Sequence, residues 1–181
     1  GSATVEIEPG MTGELTPQVL GLGKVDSTVA AATASNSLES SALAVSTVTV
    51  EEGTQSLVAS INAGAAGADW DLYVITPEGK QLSRATADES ETLTIADPAP
   101  GAYTVVGHLY AANGGKDTGT LETLKLREDA GNLTVSPNPV PVTSGKATEA
   151  TLSWSGLTSG TWKGLVTWDA GITTDVTVQV P

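Results

Sequence analysis

The chain has 181 residues and a net charge of −13, from 21 acidic and 8 basic residues, and it contains no cysteine. The charge excludes nucleic acid and anionic lipid surfaces as partners, because both carry phosphate groups that repel an acidic surface. Without cysteine there is no disulfide framework, no thiolate metal site and no thiol nucleophile. No run of about 18–20 apolar residues is present, so we expect no membrane span.

Short runs of alternating apolar and polar residues, separated by turn residues, recur along the chain. They predict an all-β fold, because strands about ten residues apart leave no room for the helices of parallel βαβ units. The segment that follows Val25 shows no sustained helical stripe, and Thr33–Ala44, rich in Ser and Ala, is expected to be a mobile loop. The predicted strands are Thr4–Ile7, Gly13–Leu22, Ser46–Val50, Ser56–Ile61, Trp70–Ile75, Glu91–Ile95, Gly101–Tyr110, Gly119–Leu126, Leu133–Pro137, Thr148–Ser155, Thr161–Trp168 and Thr173–Val180.

The composition of the chain changes near Arg127–Asn132, since 18 of the 21 acidic residues precede residue 131. We therefore predict two parts: an antiparallel jelly-roll-like β-sandwich over residues 1–130, followed by a small immunoglobulin- or fibronectin-like β unit over residues 131–181. A unit as short as the second buries too little apolar surface to be comfortably stable alone. We expect it to dock on the first part and to be unfolded when isolated.

The inventory of reactive side chains predicts no catalytic residues. The only histidine, His108, lies within the predicted strand Gly101–Tyr110, and a Ser–His–Asp triad would need it to take a serine proton. The chain has no nucleophile elbow, P-loop, His-Glu-x-x-His motif, dinucleotide fingerprint or EF-hand loop. A histidine inside a strand, without a nucleophile motif beside it, is expected to be packed or surface-exposed.

Acidic residues around the strand that begins near Trp70 form a candidate metal site. Asp69 and Asp71 share one face of this strand, and Asn113 and Asp117 of a glycine-rich loop could add oxygen ligands. Close carboxylates favour a cation, so these four residues are a candidate calcium site, calcium being the one possible cofactor. The alternative is that the acids simply face solvent.

Three tryptophans follow in the last third of the chain, namely Trp154, Trp162 and Trp168. If exposed, they would form a stacking face for sugars or peptides. Alternation along the predicted strands instead favours burial, because a small core without Phe needs large residues.

Two segments resemble a known family. Residues 68–80, Ala-Asp-Trp-Asp-Leu-Tyr-Val-Ile-Thr-Pro-Glu-Gly-Lys, are similar to the D-x-D-L-Y-x-x-x-P-x-G segment of bacterial pre-peptidase C-terminal domains. Residues 98–108, Pro-Ala-Pro-Gly-Ala-Tyr-Thr-Val-Val-Gly-His, are similar to the segment P-x-P-G-x-Y-T-V-x-V-x-G that follows it. Residues 9–16, 131–137 and 152–157 resemble segments of the version that is appended to secreted bacterial subtilisin-like proteases.

The resemblance implies a secreted or cell-surface, non-catalytic accessory module with a jelly-roll-like sandwich. Such a module aids stability, secretion or binding of a protein substrate, and the catalytic protease domain of the same protein would lie upstream. Related domains of collagenases bind calcium and collagen, but their ligand cluster has no clear match in this sequence. The family usually has a smaller or polar residue where this chain has Trp70, so we interpret Trp70, together with Tyr110, as an exposed ligand contact.

A second functional hypothesis belongs to a different class of protein. The chain could be a stand-alone adhesion or carbohydrate-binding module of a bacterial cell-surface protein, with a surface glycan as its partner. The two hypotheses differ in what precedes the module in the natural polypeptide: a subtilisin-like domain in the first case, and a cell-wall anchor or repeated adhesin modules in the second.

Overall fold

A computed structural model of the chain describes residues 1–169 and 172–181, apart from the side chain of Asp129. Within these residues there are sixteen strands and two short 3₁₀ turns, Ser40–Ala42 and Glu128–Ala130, but no α-helix. No helix in this part of the chain is therefore long and apolar enough to cross a bilayer. The strands are β1 (Ser2–Ile7), β2 (Gly13–Leu15), β3 (Gln18–Lys24), β4 (Asp26–Thr33), β5 (Leu43–Val50), β6 (Ser56–Asn62), β7 (Asp69–Ile75), β8 (Gln81–Arg84), β9 (Glu91–Ala96), β10 (Gly101–Ala111), β11 (Lys116–Leu126), β12 (Leu133–Ser136), β13 (Val140–Val142), β14 (Thr148–Trp154), β15 (Gly160–Trp168) and β16 (Ile172–Val180).

The predicted all-β antiparallel fold is confirmed, but the division of the chain differs from the prediction. The chain forms two compact units, residues 25–125 and residues 1–24 together with 126–181. The predicted boundary after residue 130 assigned the first strands to the jelly roll. In the structure these strands instead pair with strands from the other end of the chain, β1 with β14, β2 with β13 and β3 with β15.

Residues 25–125 form a jelly roll of eight strands. One sheet has the order β5-β10-β7-β8 and the other β4-β11-β6-β9. Numbered within the unit, these orders are 2-7-4-5 and 1-8-3-6, the arrangement of two Greek keys in a jelly roll. Side chains at alternate positions fill the space between the sheets, and the largest of those fully buried are Trp70, Tyr103, Leu57, Ile61, Leu72 and Leu109.

Residues 1–24 and 126–181 form a second sandwich. Its sheets have the orders β1-β14-β12 and β16-β15-β3, and β2 pairs with β13. These orders correspond to the B-E-D and G-F-C strands of an immunoglobulin fold, so we call this the immunoglobulin-like unit. Trp168 is buried in its core, and Trp154 and Trp162 pack against that core, as the alternation predicts.

Several strands were not predicted from the sequence. β4 was missed because its sequence is Ser-, Thr- and Ala-rich, and only the small side chains of Ala30 and Ala32 face the core. The predicted strand Gly13–Leu22 is interrupted before Pro17, which separates β2 from β3. The segment expected to be a mobile loop is irregular from 34 to 39, where Ala34 N–H and Ser35 N–H donate to the carbonyls of Gly115 and Leu109.

The jelly roll is an insertion between β3 and β12 of the immunoglobulin-like unit. Within that unit Gly21 N–H donates to Arg127 O at 2.9 Å, so the chain leaves and returns at neighbouring points. Within the jelly roll, Asp26 lies opposite Thr123 on paired strands, so its two ends are also neighbours. Close termini of this kind are what allow one domain to be inserted into another.

We predict that residues 131–181 alone do not fold, because they lack β1, β2 and β3 and hence part of the buried core. Residues 1–24 joined by a short Gly–Ser linker to residues 126–181 should fold cooperatively. Circular dichroism melting and tryptophan emission would test this, since Trp154, Trp162 and Trp168 all lie in this unit. Cooperative melting of residues 131–181 alone, with emission as blue as in the whole chain, would contradict the prediction.

Candidate functional site on the outer face of the jelly roll

Strand β7 separates its side chains into two sets by alternation. Trp70, Leu72 and Val74 point into the core, and Trp70 is 0% exposed. The prediction of Trp70 as an exposed ligand contact is therefore corrected: its parity with Leu72 and Val74 assigns it to the core. Tyr73, which sequence reasoning missed, shares the outward parity of Asp71 and is partly exposed.

The buried indole of Trp70 joins the two sheets of the jelly roll. Its Nε1–H donates to Asp117 Oδ2 at 2.8 Å, and Gly64 N–H donates to the same oxygen at 2.9 Å. A Cβ on Gly119 would lie 2.5 Å from Asn62 O and 3.4 Å from the Trp70 Nε1 atom, so only glycine leaves room there. A buried donor needs such a partner, because an unsatisfied N–H would cost about 1–3 kcal/mol.

The hydrogen bonds to Asp117 also set its protonation. Burial raises the pKa of this carboxyl, but the hydrogen bonds from the Trp70 indole and from the backbone of Gly64, Thr118 and Ala65 outweigh burial and hold the pKa below its ordinary value. Asp117 is therefore an ionised acceptor inside the sandwich.

On the outward side of β7 and β10, His108 and Asp71 form a buried pair. His108 is 3% exposed, which confirms the expectation that it is packed within its strand. Its Nδ1 lies 3.2 Å from Asp71 Oδ2, and its Nε2 lies 2.9 Å from Ser35 O. Since a carbonyl oxygen only accepts, Nε2 carries a proton and donates to Ser35 O. Tyr73 Oη–H donates to Asp71 Oδ2 at 3.3 Å.

This arrangement differs from that of a catalytic base. A general base needs a nitrogen that can reach the proton of a nucleophile or water. In His108 the side chain of Asp71 occupies one ring nitrogen and the backbone of Ser35 occupies the other. The Ser35 hydroxyl accepts a hydrogen bond from Ser37 N–H. The histidine thus ties the segment after β4 to β10.

Around this pair, the outer face of the sheet β5-β10-β7-β8 carries apolar and aromatic side chains. The register aligns Val45, Val106 and Tyr73 across three adjacent strands. The His108 ring lies 6.5 Å from the Tyr73 ring and 6.4 Å from the Tyr110 ring, between centroids, and the latter pair is edge-to-face. Val45 is 57% exposed and Tyr110 49%. We call Val45, Tyr73, Val106 and Tyr110 the tyrosine face.

The four predicted calcium ligands make separate contacts in the structure. Asp71 is engaged by His108 and Tyr73, and Asp117 by Trp70 and Gly64, while Asn113 lies in an exposed turn whose side chain abuts Gly67. Among the described residues, no group of three or more acidic or histidine side chains has the geometry to hold a metal ion. The calcium site through Asp69, Asp71, Asn113 and Asp117 thus stays a prediction.

Asp69 is a partly buried carboxyl at the start of β7. Its Oδ1 is buried, with no hydrogen-bond partner among the described residues. Burial raises the pKa of Asp69 above its ordinary value of 3.8, the negative charges of Asp71, Glu91 and Asp88 raise it further, and His108 lowers it. The ionised form of Asp69 therefore destabilises the folded state.

We predict that Trp70→Phe lowers the free energy of unfolding by about 2–3 kcal/mol, because it removes a buried donor to a charged acceptor and leaves a small cavity. Chemical denaturation measures this loss. Trp162→Phe is the matched control, since its Nε1–H donates to the exposed carbonyl of Thr158 and its loss should be under about 1 kcal/mol. Equal losses of unfolding free energy in the two variants would show that the hydrogen bond from Trp70 to Asp117 does not stabilise the jelly roll more than an exposed one does.

We predict that Asp69→Asn raises the free energy of unfolding at pH 7. The pKa of Asp69 in the folded state exceeds the unfolded value of 3.8. The parent chain therefore loses stability as the pH rises from the unfolded pKa of Asp69 through its folded pKa. The gain should vanish below pH 3.8, where the carboxyl is protonated in both states. Denaturation at pH 3 and pH 7 measures the difference, and the exposed Asp26→Asn is the control.

The same variant tests the predicted calcium site. Millimolar calcium that raises the melting temperature of the parent chain but not of Asp69→Asn would support the site, since only the folded state assembles the ligands. No shift in either protein would remove it.

Comparisons with known proteins found a solved structure and a family model that match parts of the chain. No curated protein matches the sequence. The crystal structure of a Bacillus licheniformis lipase, BlEst2 in propeptide form, aligns with 86% of this chain at a TM-score of 0.43 and 10% identity. The chain covers 40% of the length of that lipase chain. Residues 43–106, from the start of β5 to the middle of β10, match the family model of the bacterial pre-peptidase C-terminal domain.

Proposed function

We propose that the chain is a non-catalytic accessory module of a secreted subtilisin-like protease, which aids stability, secretion or protein-substrate binding. Of these roles the geometry supports binding of a protein substrate best, through the tyrosine face. The observation that carries the proposal is the family match over residues 43–106, which includes Val45, Tyr73 and Val106 of that face. The catalytic protease domain of the same polypeptide would lie upstream, and the module would act outside the cell.

The two outer faces of the jelly roll differ in chemistry, which supports a binding role for one of them. The sheet β5-β10-β7-β8 presents two tyrosines and two valines in neighbouring positions. The sheet β4-β11-β6-β9 presents mostly Ser and Thr, such as Ser60, Thr94 and Thr118, with Val29 as its exposed large apolar residue. Tyrosine and branched apolar side chains in one patch are typical of a surface that binds polypeptide.

Charge favours a basic or neutral polypeptide as the partner. Residues 25–125 carry 13 acidic and 4 basic residues. These counts give the unit a net charge of 4 − 13 = −9, which would attract a substrate rich in lysine or arginine. The aromatic rings of the tyrosine face would supply contact area.

The adhesion or carbohydrate-binding hypothesis loses one of the two predicted contact residues in this structure. Trp70, interpreted together with Tyr110 as an exposed ligand contact, is fully buried. Stacking by Tyr110 is the part of that hypothesis that the geometry still allows, because Tyr110 is half exposed.

We predict that the variant Val45→Ser/Tyr110→Ser binds reduced, carboxamidomethylated lysozyme, an unfolded basic polypeptide, at least about tenfold more weakly than the parent chain, because two exposed contacts of the face are lost. Biolayer interferometry with the immobilised polypeptide measures this. Val29→Ser, on the outer face of the other sheet, is the control and should bind as the parent does.

Three results would contradict the proposal or part of it. Equal binding by the parent and the double variant would remove the tyrosine face as the site, whereas selective binding on a glycan array would favour the adhesion hypothesis. A natural polypeptide without a subtilisin-like domain upstream would refute the assignment to a protease.

A further inference from the structure

A second candidate binding site lies in the immunoglobulin-like unit and shares no residue with the tyrosine face. A cavity of about 340 Å³ is lined by Gly10, Met11, Leu15, Trp168, Asp169 and Ile172, together with Ile7 and Pro9 of the N-terminal segment. Every described lining residue except Asp169 is apolar or glycine. The volume is at the lower end of that of ligand pockets and is large enough for an apolar side chain.

Exposure distinguishes the floor of this cavity from its mouth. Leu15 and Trp168 are buried and belong to the core of the unit. Met11 is 44% exposed and Ile172 is 58% exposed, and they are the exposed large hydrophobic residues of the described part of this unit. Isolated apolar side chains on a surface are ordinary, but two at the rim of one apolar cavity indicate a binding site.

One carboxylate lies at the cavity. Asp169 is the charged residue among the described lining residues, and Thr16 N–H donates to Asp169 Oδ2 at 2.7 Å, which holds the carboxylate in place. The segment that supplies most of the lining, residues 1–23, contains Glu6, Glu8 and Glu14 but no lysine or arginine. A ligand that combines an apolar group with a neighbouring positive charge is complementary to this cavity.

An edge strand begins at the same place. β16 starts at Ile172 and pairs with β15 alone among the described strands, so its other edge leaves backbone N–H and C=O groups unpaired. An extended chain that pairs with such an edge gains main-chain hydrogen bonds, while a pocket beside the edge selects one of its side chains.

We infer that this cavity binds one aliphatic or aromatic side chain of an extended polypeptide partner, adjacent to a lysine or arginine of the same partner. The main chain of the partner pairs with the free edge of β16, the apolar side chain fills the cavity above Trp168, and the cation lies beside Asp169. This inference goes beyond the proposed function and does not depend on it, because it concerns a different unit and different residues.

The single methionine of the chain gives a direct readout, since a [¹³C]methyl-methionine label reports on Met11 alone. We would titrate the labelled whole chain with three acetylated, amidated peptides: Gly-Lys-Leu-Lys-Gly, Gly-Lys-Ala-Lys-Gly and Gly-Glu-Leu-Glu-Gly. The first peptide should shift the Met11 methyl resonance. The second should bind about tenfold more weakly through loss of apolar area, and the third several-fold more weakly through charge.

Variants separate the cavity from the rest of the surface. Ile172→Ser should weaken binding of the first peptide about tenfold through loss of apolar area. Gly10→Leu should compete with the peptide, because a Cβ at Gly10 meets no atom within 4 Å. Val29→Ser is the control, since Val29 is also an exposed apolar residue but lies in the jelly roll, and it should leave the shift unchanged. A Met11 methyl that does not respond to the first peptide, or responds equally in Ile172→Ser, would overturn the inference.

The charge requirement has its own outcome. Equal binding of the lysine and glutamate peptides would refute the basic character of the partner. Either result for the cavity is independent of lysozyme binding by the tyrosine face, because the variants of the two tests share only the control Val29→Ser.

Discussion

The immunoglobulin-like unit can close only when strands from opposite ends of the chain pair with each other. β1 lies in register with β14 along its whole length, and β3 supplies one side of β15. Leu15 and Leu22 of the first segment are buried in the same core as Val166 and Trp168 of the last. The jelly roll is inserted between these two segments of the chain. The apolar cavity of the immunoglobulin-like unit is lined by residues from both segments.

The sequence reveals strands better than it reveals their partners. Alternation located β5 to β7, β9 to β11 and β14 to β16 to within a few residues, because half-buried strands need a period of two. The composition change near residue 130 lies close to Leu126, where the chain passes from the jelly roll back into the immunoglobulin-like unit. It could not show that residues 1–24 belong with residues 126–181, because a register such as Ala3 opposite Leu152 depends on packing across a long insertion. β4 was missed since small Ala side chains carry little hydrophobic signal.

At the candidate site, the sequence predicted which side chains of β7 share a face, because side chains alternate along a strand. It correctly placed Asp69 and Asp71 on one face, and the same rule assigns Trp70 to the core with Leu72 and Val74. The family resemblance of the sequence singled out Trp70 as unusual, and its side chain is buried, with the indole hydrogen-bonded to Asp117 of the opposite sheet. That bond, and the alignment of Tyr73 with Val106 and Val45, arise from pairing between distant strands, which no local pattern in the sequence specifies.

The insertion of the jelly roll also couples the stabilities of the two units through chain entropy. While residues 25–125 are folded, the two ends of the insertion stay close together, because Asp26 and Thr123 are opposite each other on paired strands. If the jelly roll unfolds, the same residues become a flexible loop of about 100 residues, and closing such a loop costs roughly 4–5 kcal/mol. That is a large part of the stability of an ordinary domain. Unfolding of the jelly roll would thus lower the free energy of unfolding of the immunoglobulin-like unit. The contacts of β1 and β3 within that unit would be unchanged.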